Sequence, residues 1–248
     1  MSKPPKMFSV LGLPVHVMCN YPNWLMECLQ QGRGTHVVTL NAEMTMQAER
    51  NKSLAQVIHH AELVIPDGAG VVLYLRWLLW QKVQRCPGIE LAENLLRELG
   101  QQRTGAKVFF YGGAPGVAAT AAELWQQQVT GLNIVGTHSG YHTPEEEAQL
   151  RQTLAELQPQ VIFVGLGVPR QELWIAENRH LCSQAIWIGV GGSFDVWSGT
   201  KTRAPAWLGD NNLEWLYRLY QEPWRWRRML ALPKFAVKAF VYRLTSSH

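Results

Sequence analysis

The chain contains three aspartates in 248 residues, Asp67, Asp195 and Asp210, and no two of them form a DxD pair. Such a pair is the usual way to hold Mg²⁺ or Mn²⁺ against a nucleotide diphosphate, because these hard cations take oxygen ligands. Asp67 lies in Pro66-Asp67-Gly68-Ala69-Gly70, directly after an apolar run. A carboxylate there could deprotonate an attacking hydroxyl. It could equally cap a helix beginning near Gly68. Asp195, four residues after Gly191, reads as a cap or turn residue. Without a DxD pair, the charge on a leaving phosphate falls to protein cations. Arg203, Arg218, Arg225, Arg227 and Arg228 are available, and guanidinium suits bidentate phosphate contacts. A single arginine of this kind is ordinarily part of a solvated helix face; a cluster beside tryptophans asks for more.

Glycines mark the second kind of chemistry. They follow the apolar runs as Gly68 and Gly70, as Gly112-Gly113-Ala114-Pro115-Gly116, as Gly165-Leu166-Gly167, and as Gly189-Val190-Gly191-Gly192. Glycine at a strand-to-helix junction lets backbone N–H groups approach a ligand, and the helix N-terminus beyond it favours a pyrophosphate. Each turn alone reads as a tight βα connection. Their recurrence points to a nucleotide. GxxxxGK[ST] is absent, and the GGAPG turn is not GxGxxG, so neither a P-loop nor a dinucleotide fingerprint is present. The eight histidines are dispersed; His59, His60, His138 and His142 read as structural or surface residues.

The elements that would position these residues are legible as alternating signals. THVVTLN, ELVIP, KVFFYG, LNIVGT, QVIFVGL and AIWIGV read as six strands. Between them, residues 42–60, 68–81, 89–102, 115–130, 144–157 and 170–180 read as helices, with Thr143 as a cap before Pro144. This predicts an α/β fold with a Rossmann-like, doubly wound, largely parallel sheet across residues 1–203. In such sheets the ligand lies outside the carboxyl ends of the strands, where Thr39 and Asn41 also fall. From residue 204 to 248 the pattern predicts amphipathic helices broken by Pro223 and Pro233, a C-terminal helical appendage packed on the core.

Charge divides in the same place. Residues 1–200 carry 14 Lys/Arg against 16 Asp/Glu, and residues 201–248 carry 9 against 3. The basic end also holds Trp207, Trp215, Trp224 and Trp226, a composition suited to anionic head groups or phosphates. The longest apolar run, Val71 to Trp80, is interrupted by Arg76 and is about half the roughly 20 residues a spanning helix needs. The N-terminus does not read as a secretory signal, and four scattered cysteines form no zinc or disulfide pattern. The expectation is a cytoplasmic protein attached peripherally to the inner face of the membrane.

The combination of these stretches resembles the WecG/TagA/CpsF glycosyltransferases. It is carried by Thr39-Leu-Asn41-Ala-Glu43, Pro66-Asp67-Gly68-Ala-Gly70, Arg85-Cys-Pro-Gly88-Ile-Glu90-Leu, Phe110-Tyr-Gly-Gly113, Gly165-Leu-Gly-Val-Pro169-Arg-Gln171-Glu172, Gly189-Val-Gly-Gly192-Ser-Phe-Asp195, Arg203-Ala-Pro205 and Glu214-Trp-Leu-Tyr-Arg218-Leu. The resemblance implies an inverting, metal-independent transfer of an N-acetylmannosamine-type sugar from UDP to a sugar on undecaprenyl diphosphate. By the same resemblance, Asp67 is the base, Thr39, Asn41 and Gln171 position the sugars, and Arg218 contacts the diphosphate. Arg225 and Arg228 are placed at the membrane or diphosphate. Arg85, Glu90, Gly113, Glu172 and Gly192 complete the expected substrate-binding set. Glu90 stands where many relatives have Asp, one methylene shorter. No cofactor and no nucleic-acid partner is expected; a homo-oligomer is compatible with the sequence. The competing readings are a non-catalytic nucleotide-binding scaffold and a Rossmann-type oxidoreductase, the latter disfavoured by the missing GxGxxG.

Overall fold

The computed structural model describes residues 4–80, 82–205, 208 and 214–245, except the side chains of Glu214, Arg218 and Arg225. The chain opens with an antiparallel hairpin, β1 (Lys6–Val10) and β2 (Leu13–Val17). Leu11 and Gly12 turn it with φ of 51° and 86°, the left-handed pair that a two-residue hairpin loop demands. Neither this hairpin nor helix α1 (Tyr21–Gln30) was expected from the strand and helix signals.

Six parallel strands then form the main sheet: β3 (Thr35–Leu40), β4 (Leu63–Pro66), β5 (Lys107–Gly112), β6 (Asn133–His138), β7 (Val161–Gly165) and β8 (Ile186–Gly189). Their order is β4-β3-β8-β7-β5-β6. Both faces are covered, as the near-continuous apolar strands require. Val37, Phe110, Phe163 and Ile188 face one core with α1, α5 (Gly88–Gln101) and α6 (Val117–Gln128). On the opposite face Val38, Leu40 and Val64 pack beside the hairpin, α2 (Ala42–Ala48), α3 (Lys52–His60) and α4 (Ala69–Leu79). Phe109, Ile162 and Trp187 continue that face under α7 (Pro144–Leu157) and α8 (Arg170–Asn178). The sheet is doubly wound.

One expected helix is two. Residues 42–60 break at Asn51, whose side chain accepts the Leu54 N–H at 3.0 Å and starts α3 afresh; a capping side chain satisfies a donor that a continuing helix would have bonded itself. At the edge of the sheet, the Val64 N–H donates to His16 Nδ1 at 2.9 Å, so the hairpin covers β4 where a further strand would otherwise pair.

Beyond β8 come the short α9 (Ser193–Trp197) and the C-terminal helices α10 (Glu214–Gln221), α11 (Trp226–Met229) and α12 (Ala231–Thr245). Helix α12 lies on α2 and α4. Its Phe235 is buried, edge-on to Tyr74 with ring centroids 6.4 Å apart, and Phe240 stacks on Trp77. Around that contact the polar ties are at the surface: Arg228 to Glu43 at 2.6 Å and Lys238 to Glu49 at 2.5 Å. Among the described residues no helix is long and apolar enough to cross a membrane.

Candidate active site

Because all six strands of the main sheet are parallel, their carboxyl ends share one edge, and the loops that leave it bring the singled-out residues together. At the β3–β4 end, Thr39 Oγ1 donates to Gly189 O at 3.3 Å, tying β3 to β8. Asn41 caps α2, accepting the Met44 N–H at 3.0 Å. Asp67 leaves β4 through a backbone bond from its own N–H to Leu40 O at 3.0 Å.

The carboxylate of Asp67 does not cap the helix that follows it. Helix α4 has Gly68 at its N-cap and no side-chain cap. Instead Asp67 Oδ1 accepts the N–H of Gly88, the first residue of α5, at 2.8 Å, where the helix dipole favours negative charge. The segment leading to α5 is laid over the end of β4 by two further bonds, Cys86 N–H to Pro66 O at 3.0 Å and Arg85 Nε to Asp67 O at 2.8 Å. Two glycines make this closeness physical. A Cβ on Gly88 would lie 2.7 Å from Thr39 Cγ2, and one on Gly68 would lie 2.7 Å from Asn41 Cβ. Thr39, Asn41, Asp67 and Arg85 are therefore gathered around two side-chain-free backbone positions. Burial, then the charges of Asp67 and Glu90, push the Cys86 thiol up to about 12. It stays protonated at neutral pH and is no nucleophile.

Glu90, in the first turn of α5, is half exposed and ion-paired with Arg203, which also approaches Glu93 at 3.8 Å. The carboxylate expected to read substrate and one of the arginines expected to neutralise phosphate thus satisfy each other here. Asp195 pairs with Lys201 at 2.9 Å, and Lys201 reaches Glu222 at the same distance.

The other half of the edge is built from glycine loops. Gly113, at φ 71°, donates to Gly165 O at 3.1 Å and accepts from Gly140 N–H at 2.9 Å. Gly192 precedes α9, and among the described residues only Asp195 comes near its Cβ position. Gln171 and Glu172, expected among the ligands, are 1% and 0% exposed and offer no surface to a ligand in this structure. The Gln171 amide oxygen accepts the N–H groups of Gly167 and Gly191, each at 3.1 Å, and its nitrogen donates to Glu172 Oε1 at 2.9 Å.

The basic appendage is only partly described at this edge. Arg218 and Arg225 are expected to act there, and their side chains lie outside the described residues; the backbone of Arg218 is in α10. Helix α10 is tied to the loop after α9 through Gln221, whose nitrogen donates to Thr202 O at 3.2 Å, and through Tyr217, 2.9 Å from Thr202 Oγ1. Arg228 is described, and holds Glu43 in the first turn of α2, two residues beyond Asn41. Among the described residues no three His, Cys, Asp or Glu side chains converge as metal ligands would. Reasoning from sequence passed over Gly88 and Glu43, although both lie inside stretches it quoted; their partners are 21 and 185 residues away.

Comparison with known proteins shows the family. The sequence model of the glycosyl transferase WecG/TagA/CpsF family matches residues 8–248. The chain is 36% identical over 219 residues to an N-acetylglucosaminyldiphosphoundecaprenol N-acetyl-β-D-mannosaminyltransferase of Bacillus spizizenii, spanning 88% of this chain and 84% of that protein. It is 34% identical over 209 residues to the protein of that name in Bacillus subtilis strain 168, spanning 84% and 80%. This chain belongs to the WecG/TagA/CpsF family of glycosyl transferases.

Proposed function

We propose that the protein transfers an N-acetylmannosamine-type sugar from UDP to the sugar of a polyprenyl-diphosphate-linked N-acetylglucosamine, with inversion and without a metal ion. The relatives' names supply the acceptor and the sugar class. The observation that carries the chemistry is the position of Asp67, at the carboxyl edge of the sheet with its carboxylate oriented by the Gly88 N–H.

In this reading Asp67 removes the proton from the acceptor hydroxyl as its oxygen attacks the anomeric carbon. The bond from that carbon to the diphosphate oxygen breaks on the opposite face, and its electron pair leaves with UDP. Thr39 and Asn41 border the sugars, with Arg85 and Glu90 on the acceptor side. Gly113 and Gly192 let backbone approach the donor. The developing phosphate charge is met by Arg218 and by helix N-termini, with Arg225 and Arg228 facing the diphosphate or the head groups of the inner membrane surface. The absent DxD pair supports a metal-independent route.

The test is release of UDP from a panel of UDP-sugars with a short-chain polyprenyl-diphosphate N-acetylglucosamine, in EDTA. Asp67→Asn should lower turnover by about 10²–10⁴-fold, the usual worth of a general base. The amide oxygen of Asn can still accept from Gly88, so donor binding and the fold should persist. Full activity of that variant in EDTA would leave the mechanism without its base.

A further inference from the structure

Behind the glycine loops runs a buried polar chain that direct substrate contact does not explain. Gln171 ends in contact with Glu172, and Glu172 Oε2 lies 2.8 Å from Nε2 of His36, on β3. All three residues are at most 1% exposed. We infer that His36 and Glu172 are positioning residues for transfer, fixing the Gln171 amide so that it holds the Gly167 and Gly191 loops at the spacing the substrates require. This rests on the reading of the carboxyl edge as the transfer site.

The orientation of the amide is the crux. Its oxygen sits between two backbone donors, and its nitrogen faces a carboxylate. Turned over, it would set N–H against N–H and oxygen against oxygen. Glu172 therefore selects the arrangement in which one acceptor clamps both loops, and His36 holds Glu172. The chain also makes room for the clamp, since a Cβ on Gly189 would lie 2.4 Å from both Gln171 Nε2 and Glu172 Oε1. The clamped residues, at φ 74° and 54°, occupy left-handed conformations that few side chains adopt. A buried pair of this kind is weak evidence for stability, because apolar residues of similar size commonly do as well. Its geometric effect on the loops is what remains for it to contribute.

That same fact supplies the test. The double variant His36→Leu/Glu172→Met removes the pair together and should fold, while depriving the Gln171 nitrogen of its acceptor. Glu172→Gln should preserve the chain, because its amide oxygen can receive Gln171 and its nitrogen can face the imidazole. Each protein is assayed for UDP release, for kcat and KM separately, and for hydrogen exchange of the Gly167 and Gly191 amides, with melting temperature as the control for folding. The double variant should exchange both amides faster and lose kcat by about 10²-fold, the scale of a 1 Å misplacement, with its melting temperature kept; Glu172→Gln should rescue both readouts. Faster exchange with wild-type kinetics would overturn the positioning role. Lost turnover with unchanged exchange would overturn the clamp. Absence of turnover in the wild type counts against the transferase reading itself, and amide exchange still tests the clamp.

Discussion

The two ends of this molecule are held by opposite means. In the α/β core, the polar groups that shape the carboxyl edge are locked from inside: Gln171, Glu172 and His36 have almost no exposed surface. The C-terminal helices reverse this. Their buried contact is apolar, centred on Phe235, and two of their charges, on Arg228 and Lys238, are spent at the surface on Glu43 and Glu49. The difference matters because the media that act on each differ. Salt screens exposed pairs, within about 10 Å at 0.1 M and about 3 Å at 1 M, and scarcely touches buried bonds, whereas acid acts on the part-buried imidazole of His16, which holds β4 to the hairpin. One molecule should therefore have an appendage surface that answers to ionic strength and a hairpin contact at β4 that answers to pH.

The largest effect expected from breaking this contrast is at Phe235. Truncation to alanine empties a buried site against Tyr74 and Gly70, at a cost of roughly 3–5 kcal/mol. Urea unfolding should show one transition, shifted as a whole, because α12 packs on α2 and α4 of the core. Two transitions, with the main one unmoved, would mean that the C-terminal helices fold as a separate unit.

A smaller effect is expected at the hairpin. Burial holds His16 below the usual histidine value, and its Nδ1 accepts the Val64 N–H. Unfolded, the imidazole binds a proton near pH 6.5; folded, it resists until lower pH, so the unfolded chain binds more protons in that window. Stability is full above about pH 6.5 and falls as pH drops through the folded value. Melting temperature measured from pH 7.5 down to 5 should show this loss, and His16→Asn, which keeps an acceptor that does not titrate, should flatten it. An unchanged profile in that variant would assign the acid sensitivity elsewhere.

The hairpin also shows where sequence reading stops. The six parallel strands and the residues at their carboxyl ends were legible, because buried parallel strands are short apolar runs and four of the six run directly into glycine turns. The hairpin was not, because its turn puts Leu11 in a left-handed conformation usually signalled by Asn or Asp. The split at Asn51 was hidden by an apolar period that runs on from α2 into α3, although the cap that makes it is a single side chain. For Asp67 the local sequence offered a cap on its own helix, and the real partner, Gly88, comes from a helix 21 residues on. The burial of Gln171 and Glu172 was equally out of reach: both stand beside a conspicuous glycine turn, and the side chain that Glu172 meets, His36, comes from β3, 136 residues earlier.

The least effect should come from the exposed pairs, and its salt dependence is what makes it informative. Arg228 and Glu43 are 44% and 23% exposed at their side chains, Lys238 and Glu49 52% and 33%. Pairs so open to water are worth about 0.2–1 kcal/mol. Glu43→Gln and Glu49→Gln should each lower stability by no more than this at low salt, and by almost nothing near 1 M, where screening acts within about 3 Å. The Phe235→Ala loss should persist across the same range, since no charge is involved. If the Glu43→Gln loss instead survived high salt, Arg228 would have to be held by more than its charge, and the surface of the appendage would resemble the interior of the core in how it is fastened.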